Sequence, residues 1–127
     1  MCVHPLVRRT VRVVALNIFK NNFIFKLVGD GVLILVPDKT YFRIKIKLYK
    51  KMSHFSIDQI FIKHLYTKLK NKNNNLNFRL VACYGTLYCI SFTTANGTLK
   101  ECIGKPISFL VKESKNVNTY RWFGSLD

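Results

Sequence analysis

A chain of 127 residues with 49% hydrophobic content and ten phenylalanines holds enough apolar material for a packed core, which excludes a disordered polyelectrolyte. Its 21 Lys and Arg stand against 6 Asp and Glu, a formal net charge of +15 at pH 7 that favours anionic partners and opposes close approach of like-charged copies. The longest strongly apolar run, Val32 to Val36, falls far short of the ~20 residues a membrane-spanning helix needs, so no membrane span is expected.

The first segment carries no acid before Asp30 and contains Arg8, Arg9 and Arg12, which interrupt any signal-peptide-like apolar core. Organellar import is one reading. The other, favoured by Val11, Val13 and Val14, is a basic arm over residues 1–10 leading into a strand that ends near Phe19. Lys20-Asn21-Asn22 reads as a turn, because asparagine tolerates positive φ. Phe23, Phe25 and Leu27 then alternate with Ile24, Lys26 and Val28. Gly29-Asp30-Gly31 supplies a hairpin turn, and Val32 to Val36 returns. Pro37-Asp38-Lys39-Thr40 presets another tight turn.

Tyr41 to Tyr49 has the two-residue period of a half-buried strand. Phe42, Ile44, Ile46 and Leu48 would enter a core; Tyr41, Arg43, Lys45, Lys47 and Tyr49 would form the opposite face. Cations bracketed by phenols suit phosphate contacts and base stacking. The alternative is a solvated face whose lysines guard a sheet edge against aggregation.

One helix is expected next. Ser56-Ile57-Asp58-Gln59 fits a capping box, and Phe55 with Ile60 fits a hydrophobic staple. Ile57, Ile60, Phe61, His64, Leu65 and Lys68 fall on one face at helical spacing. Lys68, Lys70 and Lys72 gather at the end, as the helix dipole favours, and residues 71–77 form an asparagine-rich loop.

The remainder reads as β structure. Strands over Phe78 to Cys83 and Thr86 to Thr94 flank Tyr84-Gly85, and Asn96-Gly97 predicts a type I′ turn. Centring that turn sets Thr94 opposite Leu99 and Phe92 opposite Glu101, with Tyr88, Ile90, Phe92, Leu99 and Ile103 on one face. Cys89, Ser91, Thr93, Lys100 and Cys102 occupy the other. Short strands over Ile107 to Val111 and Thr119 to Phe123 complete the chain, with Trp122 expected in the core. Together these elements predict a single small basic domain over 1–127. Its expected class is mainly β, a small SH3- or OB-like barrel or β-meander with one central α-helix. A two-layer α+β sandwich is the alternative.

Catalysis finds little support. Asp30 and Asp38 fall in turns and Asp58 in a helix N-terminus, where each has a structural task. His64 reads as a core-edge histidine. Cys2, Cys83, Cys89 and Cys102 lack the paired spacing of a zinc site, and without a secretion signal reduced thiols are the default. No metal or cofactor is expected. Asn96-Gly97-Thr98 matches a glycosylation sequon, which matters only in the secretory pathway.

Ile90-Ser91-Phe92-Thr93-Thr94-Ala95-Asn96-Gly97-Thr98-Leu99-Lys100 resembles the strand, tight turn and polar return strand of phage-encoded SH3-like β-barrel proteins of largely unassigned function. Tyr120-Arg121-Trp122-Phe123 resembles that family's closing strand. The likeness covers about a quarter of the chain; Ala95 replaces the usual charged residue, and the first half has no counterpart. It implies a barrel and a viral origin, and no functional residues.

The expected function is non-catalytic binding of RNA or single-stranded DNA. Tyr41, Arg43, Lys45, Lys47 and Tyr49 are the central candidates, with Lys50, Lys51, Lys68, Lys70, Arg8, Arg9 and Arg12 as flanking cations. A ribonucleoprotein subunit is a variant of this reading. Two readings compete with it: a viral or mobile-element accessory protein that binds a host protein, and a basic excess that merely follows the Lys, Asn, Ile and Phe bias of an AT-rich genome. The compartment expected is the cytoplasm, or the host nucleus for a viral protein, with an organelle as the other option.

Overall fold

The computed structural model describes residues 5–28, 31–51, 57–70, 79–118 and 120–126. The chain divides into two compact units, Met1–Leu76 and Asn77–Asp127. The first contains α1 (Pro5–Phe19), β1 (Ile24–Val28), β2 (Gly31–Leu35), α2 (Asp38–Lys51) and α3 (Ile57–Lys70). The second contains β3 (Leu80–Tyr84), β4 (Tyr88–Thr94), β5 (Gly97–Ile103), α4 (Lys105–Glu113), a 3-10 turn over Ser114–Asn116, and β6 (Tyr120–Ser125). The class is therefore α+β. Among the described residues the strands make three separate two-stranded sheets, none closed into a barrel, which corrects the expectation of a mainly β barrel or meander with one helix.

Helix α1 replaces the expected arm-and-strand because its buried residues follow helical spacing. Thr10, Val14, Ala15 and Phe19 are buried, whereas Arg8, Arg9, Arg12, Val13 and Leu16 are exposed. Each valine in a helix costs several tenths of a kcal/mol. Burying an aliphatic side chain returns about 1.5–3 kcal/mol, so packing decides. The partner is α3, whose Ile57, Phe61, Leu65 and Leu69 recur every fourth residue and are each 5% exposed or less. Phe19 stacks on Phe61 with ring centroids 6.2 Å apart and planes at 27°. The expected capping box and staple at Phe55, Ser56 and Asp58 lie outside the described side chains, as do residues 71–77.

The chain leaves α1 through Lys20, which adopts φ +58°, so the left-handed residue of this turn is the lysine and not an asparagine. Its N–H donates to the Leu16 carbonyl at 3.0 Å, and the Asn22 N–H donates to the Phe19 carbonyl at 3.2 Å, closing the helix end. Strands β1 and β2 pair antiparallel as their alternation predicts, with Phe25 opposite Ile34 and Val28 opposite Gly31.

Helix α2 is the largest departure. The alternating Tyr41–Tyr49 segment is helical. Asp38 opens the helix: its carboxylate accepts from the Lys39 N–H at 2.8 Å, and the Tyr41 N–H donates to the Pro37 carbonyl at 3.0 Å. Pro37-Asp38 thus acts as a helix start, and the Lys, Arg and Leu that follow are good helix formers. Only Thr40 is buried on the described part of the helix, with Tyr41 and Ile44 half-buried. Phe42 and Ile46 remain 49% and 58% exposed. Alternation is tolerated because this helix gives up so little of its surface to the core.

In the second unit β3 and β6 are parallel, with Leu80 opposite Tyr120 and a register irregularity between Ala82 and Tyr84. A parallel pair needs a crossover, and α4 supplies it. The strand expected over Ile107 to Val111 is this helix: Pro106 occupies its first turn, where a missing N–H costs nothing. Gly104 precedes it in a tight place, since a Cβ would meet Leu87 Cδ2 at 2.8 Å and the Thr86 carbonyl oxygen at 3.1 Å. Phe109 packs edge-on against Phe123 at 4.9 Å. Trp122, expected inside, is 42% exposed.

Hairpin β4–β5 turns at Ala95-Asn96, so that Thr94 pairs with Gly97, Phe92 with Leu99 and Ile90 with Glu101. The positive φ falls on Gly97 (+123°) alone, so the turn is not the type I′ turn expected. Thr94 Oγ1 donates to the Gly97 carbonyl at 2.8 Å and accepts from the Asn96 N–H at 3.3 Å, which holds the tighter loop. The register differs from expectation by two residues, so both side-chain faces survive unchanged. Cys89 and Cys102, expected as free thiols, are directly paired across the hairpin in a disulfide, with Cα atoms 4.0 Å apart.

Two outcomes test this architecture. Leu65→Ala should cost about 2–5 kcal/mol in denaturant unfolding, whereas Phe42→Ala should change stability by only about 0.5 kcal/mol. Equal losses would place Phe42 in a core and restore a strand there. Reduction of Cys89–Cys102, which spans a sequence separation of 13, should release the hairpin by about 3 kcal/mol. Amide exchange in β4 and β5 with and without reductant measures this, because a two-stranded hairpin alone is marginal.

Candidate nucleic-acid interface

The strand face proposed from Tyr41 to Tyr49 does not exist as one surface. At 3.6 residues per turn, positions two apart lie roughly 200° apart around the helix. Arg43 and Lys47, four apart, share one side; Lys45 projects from the far side. Tyr41 is half-buried, its ring set edge-on to that of Phe42 with centroids 6.2 Å apart. Tyr49, Lys50 and Lys51 continue α2, but their side chains lie outside the described ones.

A different cationic line replaces that face. Lys39, Arg43 and Lys47 recur every fourth residue and are all exposed. Phe42 and Ile46 lie beside this line, with Lys45 beyond them. Lys39 was missed by reasoning at strand period. The signal that finds it is Pro37-Asp38 read as a helix start, followed by basic residues at four-residue spacing.

Helix α1 carries a second line. Arg8 and Arg12 are one turn apart and exposed, with Arg9 exposed to one side and Leu16 one further turn on. The Arg12 guanidinium carbon lies 6.0 Å from the centroid of the Phe25 ring on β1. Arg12, Leu16, Asn21, Phe23 and Phe25 line an open cleft of about 260 Å³. No acid occurs in α1, and Asp38 alone opens α2. Among the described residues, Arg8, Arg9, Lys39, Arg43, Lys45 and Lys47 are held in no ion pair.

The flanking cations on α3 contribute less. Lys68 is half-buried, and Lys70 ends the helix where only the backbone is described. His64, expected at the core edge, is exposed.

The second unit has a different surface. The hairpin face formed by Tyr88, Ile90, Phe92, Leu99 and Ile103 leaves each of these side chains 46% to 72% exposed. The Arg121 guanidinium lies 4.7 Å from the Phe123 ring centroid, and Arg79 Nη1 donates to the Lys115 carbonyl at 3.3 Å. Burial pushes the Cys83 thiol above its ordinary pKa, so at neutral pH it stays protonated and a poor nucleophile. Among the described residues, no group of three or more His, Cys, Asp and Glu could hold a metal ion, and no helix is long and apolar enough to cross a membrane. No family model, curated protein or solved structure matches this chain.

Proposed function

We propose that the first unit binds a flexible polyanion, RNA or single-stranded DNA, without catalysing a reaction on it. The observation that carries this reading is the pair of exposed cationic lines, Arg8–Arg12 on α1 and Lys39–Arg43–Lys47 on α2, of which, among the described residues, Arg8, Lys39, Arg43 and Lys47 are held in no ion pair. Each guanidinium or ammonium offers donors to phosphate oxygens, and the apolar residues beside them offer contact for sugars and bases. An unpartnered cation on a solvated helix adds little to stability, so these residues are free to serve binding.

Counterion release gives the test. Affinity for a labelled 15-residue oligonucleotide should fall with salt, with a log–log slope of about −0.7 per phosphate contacted on a single strand. Arg43→Ala with Lys47→Ala should reduce that slope by about 1.4, and Arg8→Ala with Arg12→Ala by a similar amount. A slope indifferent to salt, or unchanged in both double variants, would overturn the proposal.

The second reading is capture of a partner protein through the hairpin of the second unit, supported by the exposed apolar face of Tyr88, Ile90, Phe92, Leu99 and Ile103. Isolated exposed apolar residues are ordinary, but five on one face of one hairpin form a patch. Phe92→Ser with Leu99→Ser, a cross-strand pair, should abolish any protein association that survives nuclease and high salt while leaving oligonucleotide affinity intact. Retention of that association would remove this reading.

A further inference from the structure

We propose that the cleft between α1 and β1 seats one unpaired nucleobase of the single strand, an inference that rests on the polyanion-binding reading and assigns it a base-recognition site. Three features of the cleft support this. Its volume of about 260 Å³ lies just under the roughly 300 Å³ at which drug-sized pockets begin, which suits a single base better than a whole cofactor. Its walls combine the flat rings of Phe23 and Phe25 with the planar guanidinium of Arg12, the two kinds of surface on which splayed bases stack. Asn21 at its rim brings an amide, with donors and an acceptor able to meet a base edge.

The aromatic wall is anchored. Phe23 lies 6.3 Å from Phe19, centroid to centroid, and Phe19 in turn stacks on Phe61 of the α3 ridge. The Phe23 side of the cleft is therefore continuous with the core of the unit and does not need to be ordered by the ligand, which lowers the entropic cost of binding. The guanidinium side is solvent-exposed by contrast. A base sandwiched between ring and guanidinium needs about 7 Å, two contact gaps of about 3.5 Å each. With its guanidinium carbon 6.0 Å from the ring centroid, Arg12 must swing outward to admit a base. Arg8, one turn before Arg12 and also exposed, is placed to meet an adjoining phosphate while the base is held.

The experiment compares a labelled 15-residue thymidine strand with an abasic strand of the same length and charge, each across a salt series, on the unaltered protein. The base-bearing strand should bind about five- to 140-fold more tightly, since stacking is worth about 1–3 kcal/mol per base and 1.4 kcal/mol is a factor of ten. Phe25→Leu keeps the apolar bulk of the strand but removes the flat ring. It should erase most of that discrimination while leaving the salt slope as it was. Equal affinity for the two strands, with a normal salt slope, would overturn the base seat and leave polyanion binding standing. Discrimination that persists undiminished in Phe25→Leu would likewise overturn it by placing base contact elsewhere. Failure to bind either strand would overturn both readings.

Discussion

The packing of α1 on the ridge of α3 is the interaction on which the first unit depends. Val14, Ala15 and Phe19 from one helix meet a helix whose Ile57, Phe61, Leu65 and Leu69 are almost wholly withdrawn from water. This small seam supplies most of the buried apolar side chains of the unit, with Leu33 of β2 as its contribution from the hairpin. Because the seam takes only part of the circumference of α1, Arg8 and Arg12 stay exposed along its margin and Arg9 on the far side. Because the described side chains of α2 give only Thr40 fully and Tyr41 and Ile44 in part to the interior, the rest of that described surface is left for lysine, arginine and exposed Phe42 and Ile46.

Charge imbalance then shapes what those faces present. With 21 cations and 6 carboxylates, few cations can be satisfied by pairing, and burying an unpaired one costs several kcal/mol. Lys and Arg must therefore face water wherever the core does not claim the position. Helical spacing arranges them into lines one turn apart instead of the alternating face of a strand. Such lines concentrate positive potential beside apolar surface, the combination a flexible polyanion with bases can use.

The second unit solves a different problem with less material. Its described buried side chains are few, Cys102, Pro106 and Val117 among them, so the β3–α4–β6 crossover and the hairpin inserted in it rely on local devices. The Phe109–Phe123 contact ties helix to sheet, the Cys89–Cys102 bridge clamps the hairpin, and Thr94 and Gly97 shape its turn. A covalent clamp explains how a two-stranded ribbon can keep its register with an exposed apolar face.

Local chemistry made several elements legible from residues alone. Gly29-Asp30-Gly31 between two strand-like runs announced β1–β2, the helical spacing of Ile57, Phe61 and Leu65 announced α3, and the faces of β4 and β5 survived a two-residue register change because side-chain alternation has period two. The cationic excess, and the candidacy of Arg8, Arg12, Arg43 and Lys47, were equally readable, since charge is a property of composition. In Arg43 to Lys47 a local start at Pro37-Asp38 outweighed the alternation. What tertiary structure decided was the period on which Val11 to Phe19 are displayed: β-branching favoured a strand there by fractions of a kcal/mol, and burial against α3 outweighed it. The cleft joining Arg12 to Phe25 and the bond between Cys89 and Cys102 belong to the same category. Each depends on which distant residues the folded chain brings within a few ångströms, and no local pattern encodes that distance.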